Sequence, residues 1–234
     1  SSNVNNMPVI DCDGTDILST PFDARLNTAD ITLFVVAWSD DDDGNAQGVI
    51  ESFSNSPVTR SGHMIFARWD SSDRWQWRGG ADTTYTSVLS GSNAVVVNQA
   101  ELITGTITGG NGTGGNANFE LFLQGTSVGT TTGPWYAATS DPLQVGTVGS
   151  FELKGKIAEI IQYNRAMSTT ERQQVEGYLA EKYGFTNNAS QWKSSNPYQT
   201  DTNGHQRTNL TDKRISYMLR PVRLLDKQHA EMFR

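Results

Sequence analysis

The stretch FELKGKIAEIIQYNRAMSTTERQQVEGYLAEKYGF, residues 151–185, decides the fold of this chain. Its first half, GKIAEIIQYN (155–164), has the apolar alternation of a β-strand that is covered on both sides. Such a strand cannot stand alone, so it predicts a layered domain with further strands beside it. The alternation predicts one face made of Ile157, Ile161 and Tyr163 and another made of Ala158 and Ile160.

The second half of the stretch predicts an amphipathic helix over residues 169–183. Ser168 precedes it and Glu171 follows three residues later, the spacing at which each side chain caps the backbone N–H of the other. Gly184 stands where a left-handed residue ends a helix. The apolar positions that recur at helical spacing are Val175, Tyr178, Leu179 and Tyr183.

Upstream of this stretch, short apolar runs separated by Gly, Asn, Asp and Pro predict strands and turns. In ITLFVVAW (31–38) both alternating faces are apolar, and FELFLQG (119–125) places Phe119, Leu121 and Leu123 on one face. GGNGTGGN (109–116) is expected to be the most flexible loop. Further strands are predicted at 48–53, 63–70, 74–79, 94–99, 101–108 and 142–146. This spacing is typical of a sandwich or a barrel.

Composition limits the functions that are open to the chain. It has 234 residues, 18% of them charged, and a single cysteine, so no intrachain disulfide can form. No apolar run approaches the roughly 18 residues that cross a bilayer. Residues 1–185 contain 10 Lys and Arg against 21 Asp and Glu, a balance of −11. An acidic body argues against nucleic acid as the partner.

The segments described so far resemble a known family. The strand and helix at 155–184 are similar to the closing signature of concanavalin A-like, laminin-G-type domains, with Met167 where Leu is usual. VIDCDGTDILST (9–20) resembles the opening strand of the family, FELFLQGTSVGT (119–130) a hairpin and PLQVGT (142–147) the strand after it. The resemblance covers about residues 9–185, and the family has no counterpart for residues 186–234.

The resemblance implies an all-β fold: a two-sheet antiparallel jelly-roll sandwich with one C-terminal amphipathic helix. We therefore expect a sandwich domain at 1–185, followed by a polar linker and basic arm at 186–234. Membership of such a fold does not by itself determine function.

Glycoside hydrolysis is disfavoured, although this fold also hosts glucanases. That reaction needs two carboxylates at one cleft, about 5–5.5 Å apart for retention. The chain has no E-x-D-x-x-E run, and its three histidines lie in unrelated contexts. The prediction is a protein that is not an enzyme.

A calcium site is a second possibility, in the loop WSDDDDGN (38–45), with Asp41 and Asp43 as ligands. Calcium takes oxygen ligands at about 2.3–2.6 Å, and relatives of this fold often bind it at a rim of the sandwich. Adjacent aspartates cannot all converge on one ion, so a solvated acidic turn is the favoured alternative.

Aromatic residues could form a glycan platform, because flat rings stack on the C–H faces of sugars. The candidate residues are Trp75, Trp77, Arg78, Trp135 and Tyr136. Packing in the core or at the rim is the favoured alternative for most tryptophans of a sandwich.

The C-terminal segment 186–234 differs from the body, since its 8 Lys and Arg against 4 Asp and Glu give a balance of +4. A basic extension on an acidic body often serves as an attachment arm. The predicted docking residues are Arg214, Met218, Arg220, Arg223, Leu224, Leu225, Met232 and Phe233. The alternative is an arm that packs on its own domain.

These observations predict a non-enzymatic surface or structural module that its arm anchors in a homo- or hetero-oligomeric assembly, such as a phage virion. The expected location is extracellular or on a virion surface. The alternative is a calcium-assisted, carbohydrate-binding lectin domain of a secreted or cell-surface protein. A hydrolase with an unfamiliar carboxylate pair is a third, weaker alternative.

Overall fold

A computed structural model describes residues 3–41, 44–55, 60–68 and 71–185 of the chain. Within them lie sixteen strands, one α-helix and one 3₁₀ turn at Ala24–Leu26. In chain order these are β1 Asn3–Val4, β2 Met7–Pro8, β3 Ile10–Asp13, β4 Leu18–Thr20, β5 Ile31–Ser39, β6 Gln47–Asn55, β7 Arg60–Ala67, β8 Gln76–Ala81, β9 Thr84–Leu89, β10 Glu101–Thr108, β11 Thr113–Leu123, β12 Thr126–Tyr136, β13 Leu143–Val145, β14 Thr147–Val148, β15 Phe151–Glu152, β16 Lys154–Tyr163 and α1 Thr169–Tyr183.

Two six-stranded antiparallel sheets form the sandwich. The back sheet has the order β12-β11-β10-β5-β16-β3, and the front sheet has the order β4-β13-β6-β7-β8-β9. Each sheet therefore mixes strands from both halves of the chain, as a jelly roll requires. The predicted fold class, a two-sheet antiparallel sandwich with one helix, is confirmed.

The main core lies between the sheets, and β5 shows how the sequence builds it. Leu33 and Val35 point into the space between the sheets, whereas Phe34 and Val36 point to the other side, where the helix packs. All nine residues of this strand are buried. The prediction that this strand is covered on both sides is confirmed.

Helix α1 covers the outer face of the back sheet and begins and ends where the sequence predicts. Ser168 accepts from the backbone of Glu171, the Glu171 side chain accepts from Ser168, and Gly184 adopts a left-handed φ of 75°. Val175, Leu179 and Tyr183 are buried against the back sheet, and Tyr178 is partly buried there. The outer face of the front sheet has no helix over it within the described residues.

Two predicted segments differ from the structure. AVVVNQ (94–99) is not a strand, because Asn93 and Asn98 adopt positive φ angles of 58° and 61° that turn the chain at both ends. The predicted flexible loop 109–116 is shorter, since β11 begins at Thr113, which pairs with Tyr136. Strand β9 was not predicted, because its Thr- and Ser-rich sequence resembles a loop.

The predicted faces of β16 are also wrong. A register shift between Ile157 and Glu159 moves every later side chain to the opposite face. Ile157 therefore packs between the sheets, while Ile161 packs under the helix. Periodicity alone cannot reveal a single extra residue of this kind.

Candidate functional site

The three tryptophans proposed for a glycan platform lie in the core. Trp75, Trp77 and Trp135 are each 0% exposed. The indole Nε1 of Trp77 donates to the carbonyl of Thr106 at 3.0 Å, and that of Trp135 donates to the carbonyl of Ala29 at 3.0 Å. No face of these rings is open to a sugar. The three tryptophans therefore pack in the core, which was the favoured alternative.

Arg78 lies away from these tryptophans, on the outer face of the front sheet. Trp77 points into the core, and strand alternation sends its neighbour Arg78 the other way. The guanidinium lies 4.4 Å from the ring centroid of Tyr85 and 5.2 Å from that of Phe66. Burial lowers the pKa of Arg78 to about 10, and the nearby Arg60 acts in the same direction.

A groove with a volume of about 400 Å³ lies at one rim of the sandwich. It is formed by the segment around the 3₁₀ turn, the start of β11 and the residues that follow β12. This volume lies within the range of small-ligand sites. The lining residues are Phe22, Ala24, Asn27, Ala29, Asn111, Gly112, Thr113, Ala137, Ala138 and Thr139.

Hydrogen bonds hold the two asparagine side chains of the rim groove. Asn111 Oδ1 accepts from the backbone N–H of Thr113 and of Gly115, both at 2.9 Å, which fixes the turn before β11. Asn27 Nδ2 donates to the carbonyl of Asp23, and Asn27 Oδ1 accepts from Ser52 Oγ at 2.8 Å. The groove lining therefore combines one aromatic residue, Phe22, with the amides of Asn27 and Asn111, whose positions these hydrogen bonds fix.

The predicted pair Trp135–Tyr136 lies beside this groove and supports it. The Trp135 bond to Ala29 holds one wall in place. Tyr136 packs on Gly114, where an added Cβ would lie 2.4 Å from the Tyr136 hydroxyl oxygen. Sequence analysis thus identified two residues that build the groove and missed Phe22 and Asn111, which line it. Only the long-range fold brings those two together.

Asp41 forms an ion pair with Lys154, with 2.9 Å between Oδ2 and Nζ. Its neighbour Asp40 pairs with Lys156, so β16 supplies the countercharges for this loop. Asp43 lies outside the described residues, and calcium binding by this loop stays a prediction. Within the described ranges, no group of three or more His, Cys, Asp or Glu side chains could hold a metal ion.

Buried carboxylates lie elsewhere in the sandwich. Glu51, on the outer face of the front sheet, is 4% exposed, and its Oε1 accepts from the backbone N–H of Gly149 at 2.9 Å. Burial raises the pKa of Glu51 to about 7; the Gly149 bond opposes this shift and Asp141 adds to it. The sequence analysis did not single out Glu51.

His63 lies between the sheets and has a structural role. It is fully buried and its Nε2 lies 3.2 Å from Gln162 Oε1 of the back sheet. Burial lowers the pKa of His63 to about 4, so the ring is neutral at physiological pH. The predicted docking residues from Arg214 to Phe233 lie outside the described residues.

The sandwich and its helix together define a lectin-like β-sandwich. The profile of the Laminin_G_3 family, of the concanavalin A-like lectin/glucanases superfamily, matches residues 13–171. The match covers more than half of the chain, and the chain belongs to this family. No curated protein sequence matches the chain. The described part contains no helix that is long and apolar enough to cross a membrane.

Solved structures that resemble this one have distant sequences. A variant of NanB sialidase from Streptococcus pneumoniae is 13% identical at a TM-score of 0.53, over 70% of this chain and 26% of that one. A heptameric SAP-like pentraxin from Limulus polyphemus is 11% identical, with a TM-score of 0.49, over 71% of this chain and 80% of that one. The binding domain of botulinum neurotoxin serotype D is 13% identical, with a TM-score of 0.49, over 70% of this chain and 40% of that one.

Proposed function

We propose that this protein is a non-catalytic carbohydrate-binding module that acts outside the cell or on the surface of a particle. The observation that carries the proposal is the rim groove, whose lining includes Phe22 together with Asn111, Thr113 and Thr139. An aromatic ring packs on the C–H face of a sugar, while amide and hydroxyl groups bond its hydroxyls. The superfamily to which the matching family belongs is named for lectins as well as glucanases, and both classes of protein bind carbohydrate.

Binding to an array of neutral and acidic oligosaccharides tests the proposal. Phe22→Ala removes the ring, and Asn111→Asp keeps the acceptor of the turn while it removes the amide donor. We expect each variant to weaken glycan binding at least tenfold. Val96→Ala, which trims an exposed side chain in another loop, is the matched control and should bind as the original protein does. Full binding by both groove variants would overturn the proposal.

Repeating the titrations with calcium and with a chelator tests the acidic loop. If the ion is required, Asp41→Asn should weaken binding in calcium and have little effect in the chelator. Equal affinity under both conditions would remove calcium from the proposal without affecting the groove.

Enzymatic turnover would contradict a non-catalytic role. Glu51 and the neighbouring Asp141 are the carboxylates to test, because burial holds the pKa of Glu51 near 7. We expect no release of reducing ends from polysaccharides by the purified protein. Release that is lost in Glu51→Gln would instead identify a hydrolase.

A second proposed role is anchoring in a larger assembly, such as a virion, through residues 186–234. The charge difference between a body at −11 and a segment at +4 favours it. We expect a chain that ends at residue 185 to keep glycan binding and to lose incorporation into its particle. Incorporation at the original level would overturn the anchoring role and leave carbohydrate binding untouched.

A further inference from the structure

Three of the residues that line the rim groove are small and lie next to one another: Ala29, Gly112 and Ala137. The backbone N–H of Ala137 donates to the carbonyl of Gly112 at 2.9 Å, which joins the segment after β12 to the turn before β11. Gly112 adopts a φ of 70°, a conformation that favours glycine, so no side chain stands at this position.

The space beside Gly112 has the size and the surroundings of a methyl group. A carbon placed where a Cβ of residue 112 would lie is 3.4 Å from Ala137 Cβ, 3.4 Å from Ala29 Cα and 3.7 Å from Ala29 Cβ. Contacts at these distances are attractive, so such a carbon would touch three apolar atoms without overlap. We call this position the Gly112 space.

The scaffold holds the walls of the Gly112 space in place. The carbonyl of Ala29 accepts from the indole Nε1 of Trp135 at 3.0 Å, and this indole is fully buried. The same ring packs on Gly110, where an added Cβ would lie 3.1 Å from Trp135 Cδ1. Because these contacts form without a ligand, binding there requires little reordering of the protein.

Asn111 provides a hydrogen-bond donor next to the Gly112 space. Its Oδ1 accepts from two backbone N–H groups, of Thr113 and Gly115, which identifies this atom as the oxygen and occupies both of its lone pairs. Its Nδ2 has no hydrogen-bond partner among the described residues. The side chain also packs on Gly115, where an added Cβ would lie 2.9 Å from Asn111 Cγ. Asn111 is thus positioned to donate to a ligand and not to accept from it.

The lining of the rim groove carries no charged side chain in the part of the chain that the structure describes. Asp30, the residue after Ala29, accepts from the backbone N–H of Gly109 at 2.8 Å. The whole chain has a net charge of −7. An anionic group in the groove would meet no lining cation and a repulsive overall field. The lining therefore favours an uncharged ligand.

We infer that the rim groove selects sugars that carry an acetamido group, the N-acetylhexosamines, over hexoses that have a hydroxyl in its place. The inference rests on the proposed carbohydrate binding at this groove. The acetamido methyl fills the Gly112 space, and the acetamido carbonyl accepts from Asn111 Nδ2. The group is uncharged, as the lining requires. A hydroxyl at the same position would leave the Gly112 space empty.

Titration with two matched pairs of sugars tests the inference: N-acetylglucosamine against glucose, and N-acetylgalactosamine against galactose. The members of each pair differ only in the acetamido group. We expect the protein to bind one acetamido sugar about fivefold or more tightly than its partner, because a buried methyl and a hydrogen bond each add affinity. Equal or tighter binding of the plain hexose in both pairs overturns the inference and leaves carbohydrate binding intact.

The oligosaccharide array separates the inference from the function on which it rests. We expect the glycans that bind to contain N-acetylhexosamine. Binding that is confined to glycans without this sugar overturns the inference and keeps the proposed function. Absence of binding to every glycan overturns both.

Gly112→Ala locates the acetamido group, because the added methyl occupies the Gly112 space. This variant should lose most of the preference for the acetamido sugar. Gly109→Ala is the matched control: its φ of 75° imposes a similar backbone strain, Asn118 Nδ2 at 3.8 Å is the nearest atom to the added Cβ, and Gly109 does not line the groove. We expect Gly109→Ala to keep the preference. Equal loss in both variants would mean an effect of strain and overturn the assignment.

A measurement on the original protein keeps the inference testable if Gly112→Ala does not fold. In saturation-transfer NMR, the ligand protons closest to the protein receive the most saturation. We expect the acetamido methyl of the bound sugar to be saturated more strongly than the ring protons. Stronger saturation of the ring protons would place the methyl in solvent and overturn the inference.

Discussion

Individual glycines permit close approach inside this sandwich, and Gly105 is the clearest case. It lies on β10 beneath Trp77, where an added Cβ would be 2.6 Å from an atom of the indole. Trp77 is fully buried and bonded to Thr106, so the ring has no room to move. A residue with no side chain is therefore required for the tryptophan to fill the core.

Gly105→Ala should lower the free energy of unfolding by about 1–3 kcal/mol, the usual effect of overpacking a core. Urea denaturation measures the change. Gly91→Ala is the matched control, since nothing lies within 4 Å of its added Cβ. We expect that variant to be as stable as the original or more stable by up to about 1 kcal/mol. An equal loss of unfolding free energy in Gly105→Ala and Gly91→Ala would contradict the close packing of Gly105 against Trp77.

The stability of the protein should depend on the ionisation of Glu51. Burial raises its pKa from 4.5 to about 7 in the folded state, so the folded protein binds more protons than the unfolded chain between these values. The contribution of the neutral Glu51 carboxyl to the free energy of unfolding is therefore complete below about pH 4.5. It is lost as the pH rises through 7.

Glu51→Gln should remove this loss. The free energy of unfolding of the variant, minus that of the original, should rise by about 2–3 kcal/mol between pH 4.5 and 8. Comparing the two proteins at each pH cancels the contributions of other groups, including His63, whose lowered pKa acts with the opposite sign. A difference that stays constant with pH would show that Glu51 ionises normally.

At the scale of elements, helix α1 carries a buried ion pair that contacts the back sheet in addition to the apolar packing between them. Arg172 Nη1 lies 2.5 Å from Glu176 Oε1, and Thr104 of β10 donates to the same carboxylate at 3.0 Å. The Arg172 guanidinium also lies 3.7 Å from the ring centroid of Phe122. Burial raises the pKa of Glu176, and the pairing with Arg172 opposes that shift. The helix therefore makes polar as well as apolar contacts with the back sheet.

The start of this helix should depend on its cap. Ser168→Ala removes the acceptor for the backbone N–H of Glu171. The carboxylate of Glu171 also forms an ion pair with Arg165, with 2.8 Å between Oε1 and Nη2. We expect a loss of about 1 kcal/mol in the free energy of unfolding, measured by urea denaturation. Thr170→Ala, at an exposed position in the same first turn, should change it by less than about 0.5 kcal/mol. Similar losses in both variants would argue against the cap.

Elements were predicted well where local chemistry and burial agree. The bounds of α1 follow from Ser168, Glu171 and Gly184, which act on their own backbone. AVVVNQ was predicted wrongly because its apolar run resembles a strand. The turns at Asn93 and Asn98 depend on the path that the chain takes from β9 to β10, which the local sequence does not specify. The register shift inside β16 likewise cannot be read from the local sequence, because it is defined by the pairing with the partner strand β5.

At the scale of the whole molecule, the described residues form two six-stranded sheets, two short two-stranded sheets and one α-helix. The helix closes the outer side of the back sheet with its own apolar cluster, which includes Phe185 at its edge.

A chain that ends at residue 185 should therefore fold with the thermal midpoint of the full chain, within about 2 °C. Calorimetry measures both. Ending the chain at residue 167 instead removes the helix and uncovers Phe34, Val36 and Ile161, so that chain should unfold at a much lower temperature or aggregate. A large drop on removing residues 186–234 alone would mean that this segment packs on the sandwich.

The sequence by itself determined the fold class, the helix and the acidic character of the body, because caps, alternation and charge act over a few residues. It also pointed to Trp135, Tyr136 and Arg78 without fixing their roles. Only the tertiary structure decided that Trp75 and Trp77 are buried, since either face of an alternating strand could have met solvent. The rim groove was likewise beyond the sequence. Its residues come from three separate connecting segments of the chain, which meet only because the order of the strands brings them to the same rim.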